Sequence, residues 1–93
     1  MEIAKTILEQ LKGDDLMGLM AWGAREFQNT GTGLQFKVSG AKMKGYVKIE
    51  LDEGADLYDI TFYKGIGKPK EMKAVKGIYF DEMSGLIDGV IER

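Results

Sequence analysis

Apolar side chains recur every three or four residues at the start of the chain and every second residue through its middle. Ile3, Ile7, Leu8 and Leu11 stand at helical spacing, with Glu2, Lys5, Glu9 and Lys12 largely between them, which predicts an amphipathic helix over 2–12. Gly13 is placed to end it. Asp14 or Asp15 can then accept hydrogen bonds from the free amides of a second helix over 16–27. That segment is apolar nearly all round: Leu16, Met20 and Phe27 line one side, Leu19 and Trp22 another, and Met17, Ala21 and Ala24 a third. Such a helix is either central or an interface, and in a domain this small the default is core, because a sheet needs an apolar helix to close it.

The run Asn29-Thr30-Gly31-Thr32-Gly33 breaks the pattern, and the period then changes to two. Leu34, Phe36 and Val38 alternate with Gln35, Lys37 and Ser39. Val47, Ile49 and Leu51 alternate with Tyr46, Lys48 and Glu50, and Tyr58, Ile60 and Phe62 with Asp59, Thr61 and Tyr63. Short connections around 40–45 and 52–56 make these strands an antiparallel meander. Gly65, Gly67 and Pro69 mark 64–70 as a loop, after which 72–78 supplies a fourth, edge strand. Asp81 is placed to cap a last helix with Met83, Ile87, Val90 and Ile91 on one side. The predicted architecture is one α+β domain spanning 1–93: an antiparallel three- to four-stranded meander with N-terminal helices and a C-terminal helix packed on one face. Its expected core joins Phe36, Ile49, Ile60 and Phe62 to Leu16, Met20 and Ile87.

Composition narrows the chemistry. The 93 residues hold no cysteine and no histidine, which removes disulfides, thiolate catalysis and the commonest transition-metal ligands together. No cofactor, metal or catalytic activity is expected. Glu2, Lys5 and Glu9 interrupt the first residues, unlike a secretory signal, and no run reaches the roughly 20 apolar residues of a membrane span. The cytoplasm is the expected location. The acid pairs Asp14-Asp15 and Asp52-Glu53 invite comparison with a general acid and base, but both sit where carboxylates serve helix starts and turns.

Charge is segregated along the chain. Residues 37–48 carry four lysines and no acid, and residues 50–59 carry five acids and no base. Because the turns of a meander alternate between its two ends, Lys42 and Lys44 should meet Lys64, Lys68 and Lys70 at one end, with Asp52, Glu53 and Asp56 at the other. The lysine end is a candidate anion-binding site, against the plain alternative of solvated loops. The exposed sheet face would set Tyr46 and Tyr63 among Lys37, Lys48, Thr61 and Gln35, a composition suited to stacking single-stranded nucleic acid, although Glu50 and Asp59 share that face and oppose phosphate. The glycines and lysines of 65–70 do not make a phosphate cradle, because no helix opens directly after them.

The segments Met20-Ala-Trp-Gly-Ala-Arg-Glu-Phe27, Leu34-Gln-Phe-Lys-Val-Ser-Gly40, 46–62 and Ile78-Tyr-Phe-Asp81 together resemble a loose group of small proteins encoded by bacteriophages and prophages. The resemblance covers most of the chain, 64–70 matching least well, and implies a phage-type origin, a helix–meander–helix order and no particular activity. Two function classes stay open. One is a non-enzymatic interaction protein that binds a protein partner through its charged end or its Met- and Trp-containing helix. The other is a nucleic-acid-binding module using Lys42, Lys44, Lys64, Lys68 and Lys70 with Tyr46 and Tyr63. The net charge of −2 favours the first.

Overall fold

Asp15 decides how the chain begins. The computed structural model describes residues 3–65 and 67–92, and its first element is the helix α1, Ile3–Ala21. At Asp15 the backbone leaves helical geometry (φ −155°, ψ 78°), and the freed carboxylate accepts the Gly18 N–H at 2.8 Å. This is N-cap chemistry inside one helical span, so the two expected helices are the two halves of a kinked element. The second half stops at Ala21 rather than near Phe27. Gly23, with φ 63°, reverses the chain, its N–H returning to the Met20 carbonyl at 3.0 Å.

Beyond that reversal the chain is strand. Arg25–Asn29 forms β1, and the meander continues through β2 (Gly33–Ser39), β3 (Lys44–Asp52), β4 (Leu57–Lys64) and β5 (Lys70–Ile78). The five strands lie in sequence order, each antiparallel to the next. The sheet therefore has five strands where the periodicity predicts three to four. The expected edge strand at 72–78 is present and begins two residues earlier, and β1 is the addition. The pairings of both outer strands are irregular: β1 shifts register between Arg25 and Gln28, where Glu26 takes a left-handed φ of 54°, and β5 shifts near Met72 and again near Gly77.

One face of this sheet carries the helices. Leu34, Phe36 and Val38 of β2, Val47 and Ile49 of β3, and Tyr58, Ile60 and Phe62 of β4 are buried against Ala4, Ile7, Leu11 and Leu19 of α1. Met83, Ile87 and Ile91 of the second helix, α2 (Met83–Ile91), complete the layer with Trp22 and Met43. Before α2 a 3-10 turn, Phe80–Glu82, takes in Asp81, so this residue does not cap the helix as expected. Long-range hydrogen bonds fasten the layer: Ser84 Oγ donates to Asp14 Oδ2 at 2.6 Å, and the Lys42 N–H to the Ile91 carbonyl at 2.7 Å. The radius of gyration, 12.0 Å, is that of a single compact domain, about 12 Å at this length.

The expected core is correct for Phe36, Ile49, Ile60, Phe62 and Ile87 and wrong for Leu16 and Met20. These two are 50% and 67% exposed. The reason is angular: at about 100° per residue, Leu16, Met20 and Met17 lie roughly 60°, 100° and 160° around the helix from Leu19. Leu19 faces the core, so the other three turn away from it.

Candidate binding surfaces

The face of the sheet opposite the helices is ordered in rows by the strand register. Nearest the β2–β3 turn, Ser39 pairs with Lys44; next comes Lys37–Tyr46–Tyr63, then Gln35–Lys48–Thr61, and last Glu50–Asp59. Tyr46 and Tyr63 are direct cross-strand partners, so their rings share one row. A close approach beside them requires glycine: a Cβ on Gly45 would run into the Tyr63 carbonyl oxygen. Gln28 of β1 and Pro69 of the β4–β5 loop join Gln35, Tyr46 and Tyr63 to line an open cleft of about 360 Å³. Among the described residues, the side chains of Gln28, Gln35, Tyr46 and Tyr63 make no hydrogen bond, so their donors and acceptors are available to a ligand.

The charges on this face are sorted as well as spaced. Glu26 is engaged by Lys37 at 3.3 Å and Arg25 at 3.9 Å. Glu50 is engaged by Lys48 at 3.7 Å and the Thr32 hydroxyl at 2.8 Å, while Asp59 accepts the Gly77 N–H at 3.2 Å. At the tyrosine end of the face, Lys44 and Lys64 flank adjacent strands, and the Gly65 N–H donates to the Lys44 carbonyl at 2.9 Å. Lys64 pairs with Lys70 across β4 and β5. Lys42, Lys44, Lys64, Lys68 and Lys70 are thus carried by two neighbouring turns at one end, all exposed, with no ion pair among the described residues. Asp52, Glu53 and Asp56 lie in and beside the β3–β4 turn at the other end.

No protein-family model, curated protein or solved structure matches this chain.

The second surface lies on α1. Leu16, Met17 and Met20 are 50%, 75% and 67% exposed and stand on one arc of the helix just after the kink. The Asp14–Ser84 bond anchors the start of α2 beside that kink, and the segment leading into α2 exposes Tyr79 and Phe80 as well. Trp22 does not belong to this surface: it is fully buried, with its indole N–H donating to Asp88 Oδ1 at 3.1 Å.

The acid pairs do structural work. Asp15 caps the second half of α1, Asp14 accepts the Ser84 hydroxyl, and Asp52 accepts the Ala55 N–H in the β3–β4 turn. No group of three or more acidic side chains among the described residues is disposed to hold a metal ion, and no described helix is long and apolar enough to cross a membrane.

Sequence reasoning places Tyr46, Tyr63 and the five lysines correctly relative to one another. It misses Gln28, because β1 carries no alternation to reveal a strand, and it misses Pro69, whose contribution comes from how the last loop sits against the face.

Proposed function

We propose that this protein is a non-enzymatic interaction module that binds a protein partner through the turn of α1 bearing Leu16, Met17 and Met20. The observation that carries this reading is their exposure on a single helical arc. Solvating apolar side chains is unfavourable, and clustered exposed apolar surface is characteristic of protein contact sites. Methionine suits the role, since its unbranched, polarisable side chain adapts to a partner's contour. The Asp15 cap holds the arc in helical form without help from a partner. The resemblance to small phage-encoded proteins supplies the setting, an accessory factor acting on a host or phage protein.

The test compares the tagged wild type with Met17→Glu/Met20→Glu and with a variant reversing Lys42, Lys44, Lys68 and Lys70 to glutamate. The expected result is a protein captured stoichiometrically by the wild type and the lysine variant but not by the methionine variant. Melting temperatures should be nearly unchanged, because substitutions at exposed positions usually move stability by no more than about 0.5 kcal/mol. A partner held equally by the methionine variant, or lost only on lysine reversal, would overturn this reading.

A further inference from the structure

We infer that the cleft on the open sheet face is a second binding site, for single-stranded nucleic acid, with bases on the Tyr46–Tyr63 row and phosphates along the lysine end. It lies on the sheet face opposite the helices and does not depend on the α1 contact.

Three observations converge. The first is shape and lining: an open cleft of about 360 Å³ is bordered by two aromatic rings and the amides of Gln28 and Gln35. Rings offer stacking surface to any base, and amides offer both a donor and an acceptor to base edges. The second is unspent bonding capacity, since none of these four side chains is hydrogen-bonded to another described residue. The third is continuity with positive charge. Pro69, a lining residue, stands between Lys68 and Lys70, and Lys44 is two residues from Tyr46, about 7 Å along the strand.

The acids that argue against phosphate binding in the sequence lie elsewhere on the face. Glu50 is four residues from Tyr46, about 13 Å along β3, beyond the screening length of about 8 Å at physiological ionic strength. Glu50, Glu26 and Asp59 are moreover each engaged by a neighbour. Two acids stand at the row itself: Glu71, across from Tyr63, and Glu26, whose charge is held by Lys37. Five lysines on two turns exceed what one phosphate needs, which favours a strand over a free nucleotide.

The experiment titrates a fluorescently labelled single strand of about 12 nucleotides at low salt, beside a duplex of the same sequence and a polyglutamate peptide. Saturable binding is expected for the single strand, weakening as salt rises because lysine–phosphate contacts release counterions. Tyr46→Ala and Tyr63→Ala should each weaken it about tenfold, while Tyr46→Phe, which keeps the ring, should retain it. Gln28→Glu, at an exposed position that leaves folding intact, should weaken binding by placing an acid in the cleft. Reversal of Lys44, Lys64, Lys68 and Lys70 should abolish it, and Met17→Glu/Met20→Glu should leave it unchanged, which separates this site from the α1 surface.

Absence of saturable binding up to about 100 μM would overturn the inference. So would equal affinity for duplex or polyglutamate, or tyrosine and Gln28 variants that bind as the wild type does.

Discussion

The indole N–H of Trp22 donates to Asp88 Oδ1 at 3.1 Å, joining the end of α1 to the middle of α2 across 66 positions of sequence. Trp22 is fully buried, so removing that acceptor takes away the partner its N–H has in the folded state. Asp88→Ala is expected to cost about 1 to 3 kcal/mol in denaturant unfolding, the penalty of stranding a buried donor. Asp88→Asn, which preserves a carbonyl acceptor, should cost less. Trp22 is the single tryptophan of the chain, so its fluorescence reports directly on this junction. An Asp88→Ala variant as stable as the wild type would show that the bond contributes nothing.

Ile49 and Leu16 should respond oppositely to truncation. Ile49 is fully buried between its register partners Leu34 and Ile60, and Ile49→Ala removes packed volume that its neighbours refill only in part. The expected loss is about 2 to 5 kcal/mol. Leu16→Ala, at a half-exposed site, should cost under about 0.5 kcal/mol. Equal losses at the two positions would contradict the direction in which the second half of α1 faces.

Tyr58 supplies a pH dependence. Burial, reinforced by the nearby Asp56 charge, pushes its phenol above the ordinary value of 10.0, and the hydroxyl donates to Gln10 Oε1 at 2.8 Å. The folded state therefore holds this proton more tightly than the unfolded state does. Below about pH 10 both states are protonated and the contribution to stability is constant; it is lost as pH rises through the folded-state pKa. Tyr58→Phe should flatten the alkaline decline of stability in urea titrations run on either side of pH 10. An unchanged decline would assign it to other groups.

The three central strands were legible because one face is buried, and the edge strand at 72–78 because the Gly- and Pro-bearing loop before it marks its start. Leu34, Phe36 and Val38 alternate with polar residues because the sheet has a dry side and a wet side, and the same holds for β3 and β4. Every residue of β1 is exposed, so Arg25–Asn29 carries no such alternation, and Phe27 reads as the continuation of a helix. In fact Phe27 leans on Phe36, ring centroids 5.4 Å apart, from an edge strand. Leu16 and Met20 show a different limit, for apolar spacing defines a face without saying whether the protein itself or a partner covers it. The grouping of the lysines was readable from turn alternation alone. The cleft was not, because it depends on where the first strand and the last loop border the face.

The broken register of the two outer strands also bears on how the molecule behaves in company. A regular edge presents evenly spaced N–H and C=O groups that template a further strand from a neighbouring chain. Here β1 is five residues long and kinked at Glu26, and β5 is interrupted near Met72 and again near Gly77. Neither edge offers an uninterrupted template, and the lysines of β5 add mutual repulsion between copies. A sheet whose outer strands are both irregular is poorly shaped for the copy-upon-copy pairing from which fibrils grow.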